Sequence, residues 1–100
     1  MSIEARLAEL GVILPDAPAP AANYVPWVRT GNLLFVSGQI AANEDGFITG
    51  KLGENMTAED GAIAAKACAN SLLAQLKSRC DGGIERPVRV VKHVWFINST

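Results

Sequence analysis

The chain lacks an excess of basic residues: nine Lys and Arg stand against ten Asp and Glu, for a net charge of −1. A protein that coats DNA or RNA needs a basic surplus to neutralise phosphates, so nucleic acid is a poor candidate partner. No apolar run approaches the ~18–20 residues needed to cross a bilayer. The first residues, Met1-Ser2-Ile3-Glu4-Ala5-Arg6, carry no apolar signal core and no cleavage pattern, and a cytoplasmic location is expected. The two cysteines, Cys68 and Cys80, are twelve apart in a helical stretch. That places them ~18 Å apart, beyond disulfide reach. With no CxxC pair and one histidine, a zinc site is not expected either.

What is present suits one globular domain. The 100 residues are 49% apolar and 19% charged, which argues against disorder. Ser2 can cap a short helix ending near Leu10, with Gly11 at the C′ position. Pro15, Pro18 and Pro20 then impose an extended Pro/Ala connector. Tyr24–Arg29 and Leu33–Ser37 predict a hairpin turning through Thr30-Gly31-Asn32. Pro26 puts the first strand at an edge or makes it irregular there. The consecutive apolar residues of the second strand suggest burial on both faces. Asn43-Glu44-Asp45-Gly46 is a turn cluster, followed by a short strand candidate, Phe47-Ile48-Thr49.

The clearest element is a helix from about Thr57 to Arg79. Thr57-Ala58-Glu59-Asp60 is a capping start signal. Ala65, Ala69, Leu72, Leu73 and Leu76 form an apolar stripe at helical spacing, and Gly82-Gly83 end the helix. After Pro87, Val88 to Ile97 is the longest strand candidate, with an apolar end that wants cover from two sides.

Taken in order, several segments carry a resemblance. They are Asn23-Tyr24-Val25-Pro26, Gly31-Asn32-Leu33-Leu34-Phe35-Val36-Ser37-Gly38-Gln39-Ile40, Gly50-Lys51-Leu52-Gly53, Ala64-Ala65-Lys66, Leu72 to Lys77, and Phe96-Ile97-Asn98-Ser99-Thr100. From Pro18 to Thr100 the chain resembles the YjgF/RidA family, also called reactive-intermediate deaminases. Residues 1–22 read as an N-terminal helix and connector of a longer subgroup, and 23–100 as the family-like domain. The resemblance implies an α+β, chorismate-mutase-like fold: a mixed sheet with helices on one face. It implies a homotrimer with a small carboxylate-bearing ligand held in clefts between subunits. Enzymes of the family hydrolyse enamines and imines such as 2-aminoacrylate to 2-oxo acids and ammonia, with no metal and no organic cofactor; other readings of such a fold are a non-enzymatic sensor or a ribonuclease. The family domain runs on for roughly another fifty residues, so a further helix and strand are expected beyond Thr100, and with them the carboxylate-gripping arginine and a late acidic residue.

Carried over by position, the ligand-bordering residues are Tyr24, Ser37, Gly38 and Gln39. Each has a plainer alternative. Tyr24 can pack on the sheet, and Ser37 can satisfy a turn. Gly38 can simply bend the strand, and Gln39 can serve as a structural hydrogen bonder. No catalytic residue is assigned. Arg29 and Arg89 sit at non-matching positions and read as solvated strand charges. His93 reads as structural, Cys68 as core and Cys80 as a helix-end thiol. Trp27 and Trp95 read as packing anchors. Glu44-Asp45 and Glu59-Asp60 read as turn and cap acids.

Overall fold

The computed structural model describes residues 2–17, 19, 23–79 and 87–100. The elements are α1 (Ile3–Leu10), β1 (Trp27–Thr30), β2 (Leu33–Val36), β3 (Ala42–Asn43), β4 (Gly46–Phe47) and α2 (Ala58–Arg79). No helix among the described residues is long and apolar enough to cross a membrane.

Local chemistry sets the helix ends. Ser2 Oγ accepts from the Ala5 N–H at 3.0 Å and caps α1. At the other end Gly11 takes a left-handed conformation. Its N–H bonds to Ala8, and the Val12 N–H to Leu7. At the start of α2 the capping box is complete. The Asp60 N–H donates to Thr57 Oγ1 (3.2 Å), and the Thr57 N–H donates to Asp60 Oδ2 (3.0 Å). The bond from the Thr57 N–H to the carboxylate does most to hold the Asp60 pKa below its ordinary value, and the Thr57 side chain lowers it further. The expected stop at Gly82-Gly83, the thiol of Cys80 and part of the connector (Pro18 and residues 20–22) lie outside the described residues.

β1 and β2 pair antiparallel in the register Trp27–Val36, Val28–Phe35, Arg29–Leu34 and Thr30–Leu33. Gly31 supplies the positive φ of the two-residue turn. β3 and β4 form a second, smaller hairpin, in which the Asn43 side chain accepts from the Asp45 N–H at 2.9 Å. α2 lies against β3. Its small, half-buried Ala64, Ala65, Ala67 and Ala69 allow that close approach. The most deeply buried residues are Ala74 (3% exposed) and Gln75 (2%), beside the half-buried Leu72, Leu73 and Leu76 of the expected stripe. α1 reaches the far end of α2 through an ion pair between Glu4 and Lys77 at 3.7 Å, and Leu7 is its half-buried residue.

Three expectations need correction. β2 is not buried on both faces: Leu34 and Val36 are half-buried, whereas Leu33 and Phe35 stand open. The strand after Gly46 stops at Phe47. The long strand over 88–97 does not form among the described residues, and Val88 and Phe96 are almost wholly exposed (96% and 95%). A strand exists only where a neighbour takes its N–H and C=O groups, and no such neighbour lines up with this segment among the described residues. Pairing resumes just after it. The Leu52 N–H donates to the Asn98 carbonyl (3.0 Å), and the Thr100 N–H donates to the Leu52 carbonyl (2.9 Å), a parallel bridge. Asn98 Nδ2 adds a longer bond to the Gly50 carbonyl at 3.4 Å. Gly53, at φ +86°, lies so close under Thr100 that an added Cβ would strike the threonine hydroxyl.

Candidate functional site

The bend that follows β2 brings three of the four expected ligand residues together. The Ser37 N–H and the Ser37 hydroxyl both donate to the carbonyl of Pro26, at 2.9 and 3.1 Å. Pro26 therefore sits just before β1 and offers its carbonyl as the anchor of the bend. Gln39 Nε2 turns back onto the Ser37 carbonyl at 3.1 Å. The Gln39 carbonyl in turn accepts from the thiol of Cys68 on α2, at 3.6 Å. Partial burial raises the Cys68 pKa above its ordinary value, so near neutral pH the sulfur stays a protonated donor and a poor nucleophile. Tyr24, the fourth residue, lies just upstream of Pro26 and is 41% exposed.

Gly38 sits at the middle of the bend. The other described glycines take a positive φ or would press an added Cβ against a neighbouring side chain. Gly38 does neither: its φ is ordinary, and an added Cβ would meet nothing within 4 Å. Nothing among the described residues accounts for a glycine there. Its N–H also has no acceptor among the described residues. Gly38 is thus an exposed stretch of backbone that no described residue covers.

Two hollows elsewhere do not include this bend. One is lined by Leu52 to Ala58 at the start of α2. The other lies between α1 and Lys77. Other sequence candidates have partners of their own. The Arg29 guanidinium bonds to the Gly31 carbonyl at 3.1 Å and so serves the hairpin turn. His93 lies against Trp95, with ring centroids 4.7 Å apart. Sequence reasoning did not foresee the tie between Gln39 and Cys68, because the two are 29 positions apart and no local pattern joins them.

A protein-family model described as endoribonuclease L-PSP matches residues 14–100. The chain belongs to this family, the YjgF/RidA family. It is 43% identical over 99 residues to protein TCP17 of Trypanosoma cruzi, covering 98% of this chain and 61% of the relative. Among solved structures it is similar to a candidate endoribonuclease from Shewanella oneidensis MR-1. The TM-score is 0.78 at 32% identity, over 86% of this chain and 57% of that one. A protein of unknown function from Agrobacterium tumefaciens aligns with a TM-score of 0.68 at 39% identity, over 83% of this chain and 49% of its own. The chain thus spans about half to three-fifths of the length of these relatives. Its fold is the α+β fold of the family.

Proposed function

We propose that this YjgF/RidA-family chain binds a small carboxylate-bearing molecule at the Ser37–Gln39 bend, in a cleft between cytoplasmic subunits, and promotes hydrolysis of enamine or imine intermediates. Gly38 carries the reading. A glycine with ordinary φ, open space on its Cβ side and an N–H without an acceptor among the described residues is accounted for if something outside the protomer comes close to its backbone. A ligand carboxylate or carbonyl oxygen is a fitting acceptor for that N–H.

The chemistry asked of such a site is modest. An imine carbon is already electrophilic, so the site must hold the substrate, polarise the C=N bond and admit a water. Backbone donors can supply the polarisation. Tyr24, on the approach to Pro26, is the side chain best placed by sequence to flank the ligand. The cleft would be completed by self-association, as a trimer, through the open side of the hairpin. Val28, Leu33 and Phe35 are exposed there. Large apolar groups left together in water mark a surface with a partner.

One observation favours a second reading, a binding protein without catalysis. The bend's own polar side chains, Ser37 and Gln39, are engaged in holding its shape, and the thiol bonded to it is neutral. The two readings part in one assay. With 2-aminoacrylate generated in solution, the deaminase reading expects the protein to accelerate pyruvate release. Saturable pyruvate binding without acceleration supports the sensor, and neither binding nor acceleration removes both.

A further inference from the structure

We infer that Gln39 is a positioning residue, which braces the bend from within and holds the Gly38 N–H turned outward. The inference rests on the placement of ligand at this bend proposed above. Three ties fasten the segment. Ser37 is bonded twice to the Pro26 carbonyl. The Gln39 side chain reaches back two residues to the Ser37 carbonyl. The Gln39 main-chain carbonyl is held from α2 by Cys68. Gly38 lies between two fastened residues and is itself bound to nothing among the described residues. A glycine is the residue with most backbone freedom to lose, so its direction is set by its neighbours. The Gln39 amide closes the bend at the place where that freedom would otherwise act. A donor held in its binding direction before the ligand arrives need not be ordered by the ligand.

Gln39→Met tests this, since methionine keeps the length and cannot donate. Backbone 15N relaxation on the protein reads the order parameter of the Gly38 amide, and pyruvate serves as the probe ligand. The wild type is expected in the rigid range, about 0.85, and Gln39→Met in the flexible range, below about 0.6, with α2 amides unchanged. Pyruvate affinity should fall about tenfold, the size of effect expected when a ligand must order a loop itself. Gln39→Glu, which also lacks the donor at neutral pH, should behave the same way and guards against a folding defect peculiar to methionine.

A Gly38 amide that stays rigid in both variants overturns the inference. So does loss of order throughout the chain in both, which makes Gln39 a general stability residue. Lost affinity with Gly38 still rigid overturns it too, because Gln39 then touches the ligand. If the wild type does not bind pyruvate, that counts against the ligand reading, and the relaxation comparison alone decides the brace.

Discussion

The two faces of the β1–β2 hairpin are built from the same kinds of residue and end in different surroundings. Trp27, Leu34 and Val36 alternate onto one face and are half-buried. Val28, Leu33 and Phe35 alternate onto the other and stay 52%, 47% and 58% exposed. One face is half-covered within the protomer; the other stands open, and the proposed trimer would cover it. The Ser37–Gln39 bend leaves β2 at the end of this divided ribbon, where a ligand could meet both a subunit and its neighbour.

The largest expected effect breaks the comparison from the open side. Phe35→Asp should leave the melting of an isolated subunit within about 0.5 kcal/mol, as surface changes usually do. It should nevertheless convert the assembly to monomers in light scattering, because a charge buried at an interface without a partner is costly. A wild type that is already monomeric would remove this account of the open face. On the half-covered side, Leu34→Ala should cost about 1–2 kcal/mol in denaturant unfolding, since a half-buried leucine loses part of its transfer energy. It should not change the mass of the assembly beyond that loss. If Leu34→Ala and Phe35→Asp give the same pattern, the two faces are not distinct.

Away from the hairpin the effects shrink. Gly53→Ala meets both a left-handed φ and the Thr100 hydroxyl. It should cost about 1–3 kcal/mol and loosen the Leu52–Ser99 bridge, seen as faster exchange of the Thr100 amide. Thr57→Ala should cost about 1 kcal/mol through the lost cap. The smallest effect is one of pH. The Asp60 carboxyl is lowered in the folded chain by its bonds to Thr57. Its contribution is therefore present above the unfolded carboxylate pKa and is lost as pH falls through the folded one. Asp60→Asn should remove that part of the acid dependence of the melting temperature, and an unaltered acid limb would show the cap carboxylate to be idle.

The parts legible in the sequence are those whose causes are local. Ser2 and Gly11 bound α1, Thr57 and Asp60 start α2, and Gly31 turns the hairpin, each through bonds spanning a few residues. Segment 88–97 reads as a strand because its residues favour one. Yet a strand is a relation between two segments, and no partner for it stands among the described residues. The candidate site is suggested by resemblance as a run, Ser37-Gly38-Gln39, with Tyr24 upstream. Its division of labour is not, because the Pro26 carbonyl and the Cys68 thiol come from distant parts of the chain. Residue type alone could not say that Gln39 faces inward on the bend while Gly38 is left bare.

Gly38→Ala, measured for melting temperature and pyruvate affinity together, addresses the site most directly. The added methyl has room and an ordinary backbone angle, so the account predicts a melting temperature equal to or slightly above wild type and ligand affinity lowered about tenfold or more, the ~1.4 kcal/mol of a blocked approach. An alanine variant that binds as the parent does, or one that melts well below it, would mean the bare backbone at this bend serves the protomer's own folding and faces no ligand.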